Sequence, residues 1–164
     1  MRGTLFLIAA LGTGFLALPS PALADDRICR GTLGAITVDN LKVPAGATCT
    51  LKRTRVEGNV IVNRRATLRA ERVRVDGNVQ AEGAALVRVV DSTVGGSIQL
   101  KQGKGGALLR NRVDSDIQLF SNRAAFKVTA NRVEGNLQCK SNRPKPTGGR
   151  NVVQGNKEDQ CARL

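Results

Sequence analysis
Along most of this chain, apolar residues alternate with polar ones in short bursts, and the bursts recur at an almost constant interval. Val38, Val56, Val75, Val94, Val113, Val133 and Val153 mark the copies, at spacings of 18, 19, 19, 19, 20 and 20 residues. Four residues after the valine stand Val60, Val79, Ile98, Ile117 and Leu137, and six after it Val62, Ala81, Leu100, Leu119 and Cys139. Five before it come Leu51, Ala70, Val89, Leu108 and Val128, and seven before it Cys49, Leu68, Val87, Gly106 and Phe126. Spacings of two put each set on the inward side of a strand. A period this short, punctuated by Gly and Asn, predicts an all-β fold: a single-stranded parallel β-helix (β-solenoid) of about seven 18–20-residue coils. Three strands per coil and a length of about 33 Å, at about 4.8 Å per coil, follow. Repeats of this length exceed the three hexapeptides of the left-handed form, so a right-handed solenoid is expected.

The polar positions are equally columnar. Gly58, Gly77, Gly96, Ser115, Gly135 and Gly155 occupy one corner, where a minimal side chain permits a bend or positive φ. Asn59, Asn78, Ser97, Asp116, Asn136 and Asn156 follow, able to bond turn backbone and one another from coil to coil. Thr54, Ser92, Asn111, Asn131 and Asn151, interrupted by Val73, mark another turn. Gln80, Gln99, Gln118 and Gln138 form an outward, uncharged row that reads as an amide ladder.

Charge changes the picture on the outer faces. Arg55, Arg74, Arg112 and Arg132 precede the column valine and Glu57, Asp76, Asp114 and Glu134 follow it, so both signs face the same way. Both are missing together around Val94 and Val153, which favours mutual pairing over a binding stripe. The basic excess therefore lies elsewhere. Arg64, Arg65, Lys104, Arg123 and Arg143 fall near one loop column, eight to ten residues after the valine, and Ser121-Asn122-Arg123 is echoed by Ser141-Asn142-Arg143. A one-sided basic edge of this kind suits a linear polyanion, such as an acidic polysaccharide, or an anionic envelope surface. Nucleic acid fits the charge, but the absence of Trp and Tyr argues against a dedicated single-strand binder.

Residues 1–24 have the layout of a cleaved signal peptide: Arg2, an apolar run from Leu5 to Leu18, and Ala22-Leu23-Ala24. The run is short for a membrane span, and no second one follows, so no transmembrane segment is expected. This places residues 25–164 as one exported β-helix domain, periplasmic or extracellular. The chain has 26 Lys and Arg, of which only Arg2 is in the leader, against 13 Asp and Glu, so the mature domain carries about +12. The segment 144–149, rich in Pro and Gly, reads as a loop in the last coil, since Val153 resumes the period. In an exported chain four Cys imply two disulfides. Cys29 and Cys49 are 20 residues apart and Cys139 and Cys161 are 22 apart, about one coil each, so the expected bridges are Cys29–Cys49 and Cys139–Cys161, stapling the two ends. Without His or a close Cys-x-x-Cys, a zinc site does not fit.

The ending from Gly135-Asn136-Leu137-Gln138-Cys139 through Asn156-Lys157-Glu158-Asp159-Gln160-Cys161 is similar to that of a group of small exported bacterial parallel β-helix proteins with no activity attached to them. The resemblance spans nearly the whole mature chain and implies the fold and export. A more distant likeness to bactofilin-type solenoids, which polymerise end to end, departs at the leader and the terminal cysteine pairs. Large β-helix enzymes cleave acidic polysaccharides with clustered acids, and Asp114 and Asp116 are the pair that could be imagined here. Yet the chain has no His, no nucleophile motif, no phosphate loop and no Ca²⁺-binding repeat. The expected function is thus non-enzymatic and cofactor-free: a binding or surface protein with a basic edge for an anionic polymer. A structural or self-associating envelope element is the alternative, ahead of a polysaccharide-cleaving enzyme.

Overall fold
In the computed structural model, residues 26–164 are described; the leader assigned to 1–24 lies outside them. The chain winds through three parallel sheets, returning to each once per coil. The first sheet has eight strands, from Asp26–Ile28 to Lys157–Asp159. The second has seven, from Gly31–Leu33 to Thr147–Gly149, and the third seven two-residue strands, from Thr37–Val38 to Val152–Val153. Register follows the sequence columns: Val56 lies beside Val75, Ile98 beside Ile117, and Val89 beside Leu108. This is a parallel β-solenoid of about seven coils. No helix among the described residues is long and apolar enough to cross a membrane.

A narrow core of Val, Leu, Ile and Ala runs the length of the coils, because each inward column stacks on itself. Phe126 is its largest side chain, and the neighbouring coil makes room by glycine. A Cβ on Gly106, the register partner of Phe126, would stand 2.9 Å from the ring's Cε1.

Two further columns inside the solenoid are polar. Asn111, Asn131 and Asn151 are buried, not merely at a turn, and they bond along the axis. The amide and N–H of Asn111 both donate to Asn131 Oδ1 at 3.0 Å, and Asn131 donates likewise to Asn151 Oδ1 at 2.9 and 3.0 Å. Each Nδ2 also donates to a carbonyl of the preceding coil, Asn131 to Leu108 O at 2.9 Å. A second ladder was not read from the sequence: Asn122 donates to Asn142 Oδ1, and Asn142 to Gln160 Oε1. Gln160 therefore caps the row at the last of the described coils. In a corner the backbone turns away from its sheet ladder, and these buried amides satisfy the groups left over.

The corners depart from expectation in their backbone. Positive φ is found not in the glycine column but at residues just before the inward polar columns, including Arg72 (51°), Arg110 (53°), Ser121 (54°) and Ser141 (57°). The glycines of the column Gly58 to Gly155 are needed for close approach instead. A Cβ on Gly77 would lie 2.6 Å from Gly58 O and 2.7 Å from Asn59 Oδ1, an oxygen already accepting from the Asn78 N–H at 2.9 Å. Where Ser115 replaces glycine, the preceding coil carries Ser97 in place of asparagine, and its smaller hydroxyl accepts from the Asp116 N–H at 3.2 Å. The pairing of small with small predicts a compensation. Gly77→Ser should cost about 1–3 kcal/mol, and Asn59→Ser in the same chain should return part of that loss, a coupling read from urea unfolding of the four proteins in a double-mutant cycle.

Both disulfides form as expected, with Cα separations of 5.6 Å for Cys29–Cys49 and 5.3 Å for Cys139–Cys161. Neither pair is stacked in strict register. Cys49 lies opposite Gly31 and Cys139 opposite Asp159, so Cys29 and Cys161 reach their partners from turns outside the paired strands. The segment 144–149 also differs from the loop reading, since Thr147–Gly149 is the last strand of the second sheet. Gly148, at φ 141°, lies too close to Val128 O to admit any side chain, so composition of loop type conceals a tightly packed strand.

Candidate anion-binding corner
On the third sheet the arginines spend their charge on that sheet's own acids. Arg55 reaches Asp76 of the next coil at 2.6 Å and Glu57 of its own at 3.6 Å; Arg112 reaches Glu134 at 3.0 Å and Asp114 at 3.1 Å. Arg74 pairs with Asp76 and Arg132 with Glu134. Alternating signs relieve the repulsion that a row of like charges about 4.8 Å apart would impose. Asp114 and Asp116, the imagined acid pair, are both engaged: the first by Arg112, the second as acceptor of the Asn136 N–H at 2.6 Å.

The corner between the first and second sheets is different. Arg64 and Arg65 lie between strands Val60–Val62 and Thr67–Glu71, Lys104 between Ile98–Lys101 and Gly106–Leu109, and Arg123 between Ile117–Phe120 and Phe126–Thr129. Arg143 follows Leu137–Lys140. All five are exposed, and the ion pairs of the described chain involve none of them. Four of the five, Arg64, Arg65, Lys104 and Arg123, line one surface depression together with Gly83 and Gln102. Arg143 stands one coil further along the same edge. Lys104, Arg123 and Arg143 each donate their N–H to the preceding coil, at Ala84 O, Gly103 O and Asn122 O, over 2.8–2.9 Å. Those three cations form a ladder over three consecutive coils.

Local sequence explains why the charges gather here. Arg65, like Ser121 and Ser141, has positive φ, which turns the chain so that the next residue points inward: Ala66, Asn122 and Asn142 are buried. The residues on either side of that inward one remain in solvent, where charge costs nothing to place. Between the Arg64 coil and the Lys104 coil the edge carries Gly83 rather than a cation. A Cβ there would meet Arg64 Cγ at 3.3 Å, so the arginine side chain lies over the glycine of the next coil.

Arg88 is a residue the sequence reading passed over. It faces outward on the second sheet directly beside Arg69, with no acid between them, and both line a neighbouring depression with Thr50 and Lys52. Its signal was available: Arg69 and Arg88 are 19 residues apart, each flanked by inward apolar residues. That second depression is partly neutralised, however. It includes Glu71 and Asp91, and Arg110 holds the Asp91 carboxyl below its ordinary range through hydrogen bonds at 2.6 and 2.8 Å. The corner has no such counter-charge among its own side chains, although Glu82 shares with Arg64 and Lys101 the groove on the first-sheet side. Its chemistry is that of an elongated cationic strip with forked guanidinium donors, suited to several anionic groups spaced along a line. Among the described residues no three His, Cys, Asp or Glu gather as a metal site. No protein-family model, curated protein or solved structure matches this chain.

Proposed function
We propose that this protein is an exported, non-enzymatic solenoid that binds a linear anionic polymer, an acidic polysaccharide, along the corner marked by Arg64, Arg65, Lys104, Arg123 and Arg143. The observation that carries this reading is the segregation of charge: the third-sheet arginines are ion-paired, while the corner cations are exposed, unpaired and repeated from coil to coil. A rigid coil spacing of about 4.8 Å holds the backbone of those cations at fixed intervals, so on the protein side binding has to order only their side chains. Two disulfides, suited to an oxidising compartment, and the leader-like residues 1–24 support export to the periplasm or beyond.

The test is binding of the oxidised mature protein to polygalacturonate, a neutral glycan and duplex DNA at two salt concentrations. The expected result is polygalacturonate binding that weakens with salt, no neutral-glycan binding, and a loss of about a hundredfold in the triple variant Arg64→Glu, Arg123→Glu, Arg143→Glu. Absence of binding to any polyanion, or indifference to the triple reversal, would reject the reading.

A further inference from the structure
The same corner carries one aromatic ring. The outward slot at the end of the first sheet runs Glu82, Lys101, Phe120, Lys140 in strict register. Phe120 is partly exposed in this slot, while Ile117 and Leu119 of its own strand point into the core. The chain contains no Trp or Tyr, and Phe126 is buried, so Phe120 is the single aromatic side chain at the surface of the described residues. Nothing in the core needs it there, since the inward columns are complete without it.

Its neighbours give the position a chemistry. Lys101 and Lys140 lie one coil to either side, Arg123 three residues downstream, and Lys104 and Arg143 at the matching places in the adjoining coils. On the same outer face, two residues upstream, Gln118 donates to Gln138 Oε1 at 2.9 Å, and Gln138 to Glu158. An aromatic face, a row of amides and an edge of cations answer to the three surfaces of an acidic sugar: its apolar C–H face, its hydroxyl rim and its carboxylate. A bare polyphosphate has only the last kind of group to offer.

We infer that Phe120 is the sugar-stacking platform of the cationic corner, and that the polymer bound there is a uronate-type glycan whose ring packs on Phe120 while its carboxylates meet the flanking Arg and Lys. This inference rests on the polyanion reading above. It makes Phe120 a determinant of specificity: the cations set affinity for polyanions in general, and the ring selects the glycan among them.

The deciding experiment measures binding of polygalacturonate and of inorganic polyphosphate to the oxidised mature protein, to Phe120→Ala, to Phe120→Leu and to Arg123→Glu. Thermal unfolding of each variant serves to confirm the fold. The expected result is that both Phe120 variants weaken polygalacturonate about fivefold to tenfold and leave polyphosphate within about twofold, whereas Arg123→Glu weakens both. If Phe120→Ala leaves polygalacturonate binding unchanged while Arg123→Glu weakens it, the platform is overturned and the cationic corner stands. Equal weakening of both polymers by the Phe120 variants also overturns it, since the ring would then only support the backbone. If the unmodified protein binds neither polymer, both readings fall.

Discussion

Replacing Asn131 by leucine is expected to lower the unfolding free energy by about 3–5 kcal/mol, more than any exposed substitution in this protein. The side chain is buried and sits in the middle of a row: it accepts from the N–H and the amide of Asn111 and donates to Leu108 O and to Asn151. Leucine fills a similar volume but offers no partner. The Asn111 N–H then has no acceptor in an interior that water does not reach, and the amide group on Asn111 retains only its bond to Val89 O. Each buried group left unpaired costs about 1–3 kcal/mol, and the leucine's own contribution to the core offsets only part of that. Urea unfolding followed by far-UV circular dichroism checks the value. Gln118→Leu, in the outer amide row, is the control and should shift stability by no more than about 0.5 kcal/mol. Equal effects at the two positions would mean that the inner ladder contributes no more than the outer one.

Removing either disulfide should cost about 3 kcal/mol in the chain-entropy model, and the loss should appear first as fraying of the coil that the bridge holds. A coil at the end of a solenoid has a neighbour on one side only. The first coil is the weaker case, because Ile28 and Ile36 remain exposed and Leu33 and Val38 only partly buried, so it has little apolar contact to hold it without Cys29–Cys49. The last coil keeps a second tie through Gln160, whose Nε2 donates to Asn142 O at 3.0 Å and whose Oε1 accepts from Asn142. Hydrogen exchange should therefore accelerate over residues 26–38 in a Cys29→Ser, Cys49→Ser variant. The corresponding Cys139→Ser, Cys161→Ser variant should lose less protection in its terminal coil. Uniform acceleration along the whole chain would contradict this local picture.

The fold was legible because its information is periodic. Each inward column is tested in every coil, so a single exception such as Gly106 does not obscure the row, and Phe126 beside it explains the exception. What was not legible had one-off or backbone causes. Cys29 and Cys161 lie in turns beyond the regular coils, so spacing named their partners without giving the register. Glycine suggested positive φ in the Gly58 column, but its role there is to admit the oxygen of an asparagine one coil earlier. The inner Asn122–Asn142 row was hidden because its earlier members are Ala84 and Gly103, so its polar character begins only at Asn122, in the later coils. At the candidate site, the loop column collected Arg64, Arg65, Lys104, Arg123 and Arg143 from spacing alone. Arg88 could have been collected in the same way, from its 19-residue spacing to Arg69, but Phe120 needed the sheet faces, since its significance depends on which residues lie across the strand rather than along it.

The segregation of paired and unpaired cations is tested most directly by two variants of equal formal charge. One replaces Arg64, Arg123 and Arg143 by glutamine, the other Arg55, Arg112 and Arg132. Affinity for polygalacturonate at low salt should fall sharply in the first and stay within about twofold of the unmodified protein in the second, whose arginines are held by Glu57, Asp76, Asp114 and Glu134. Equal losses in the two would show that net charge alone attracts the polymer, and would contradict a binding site at the corner.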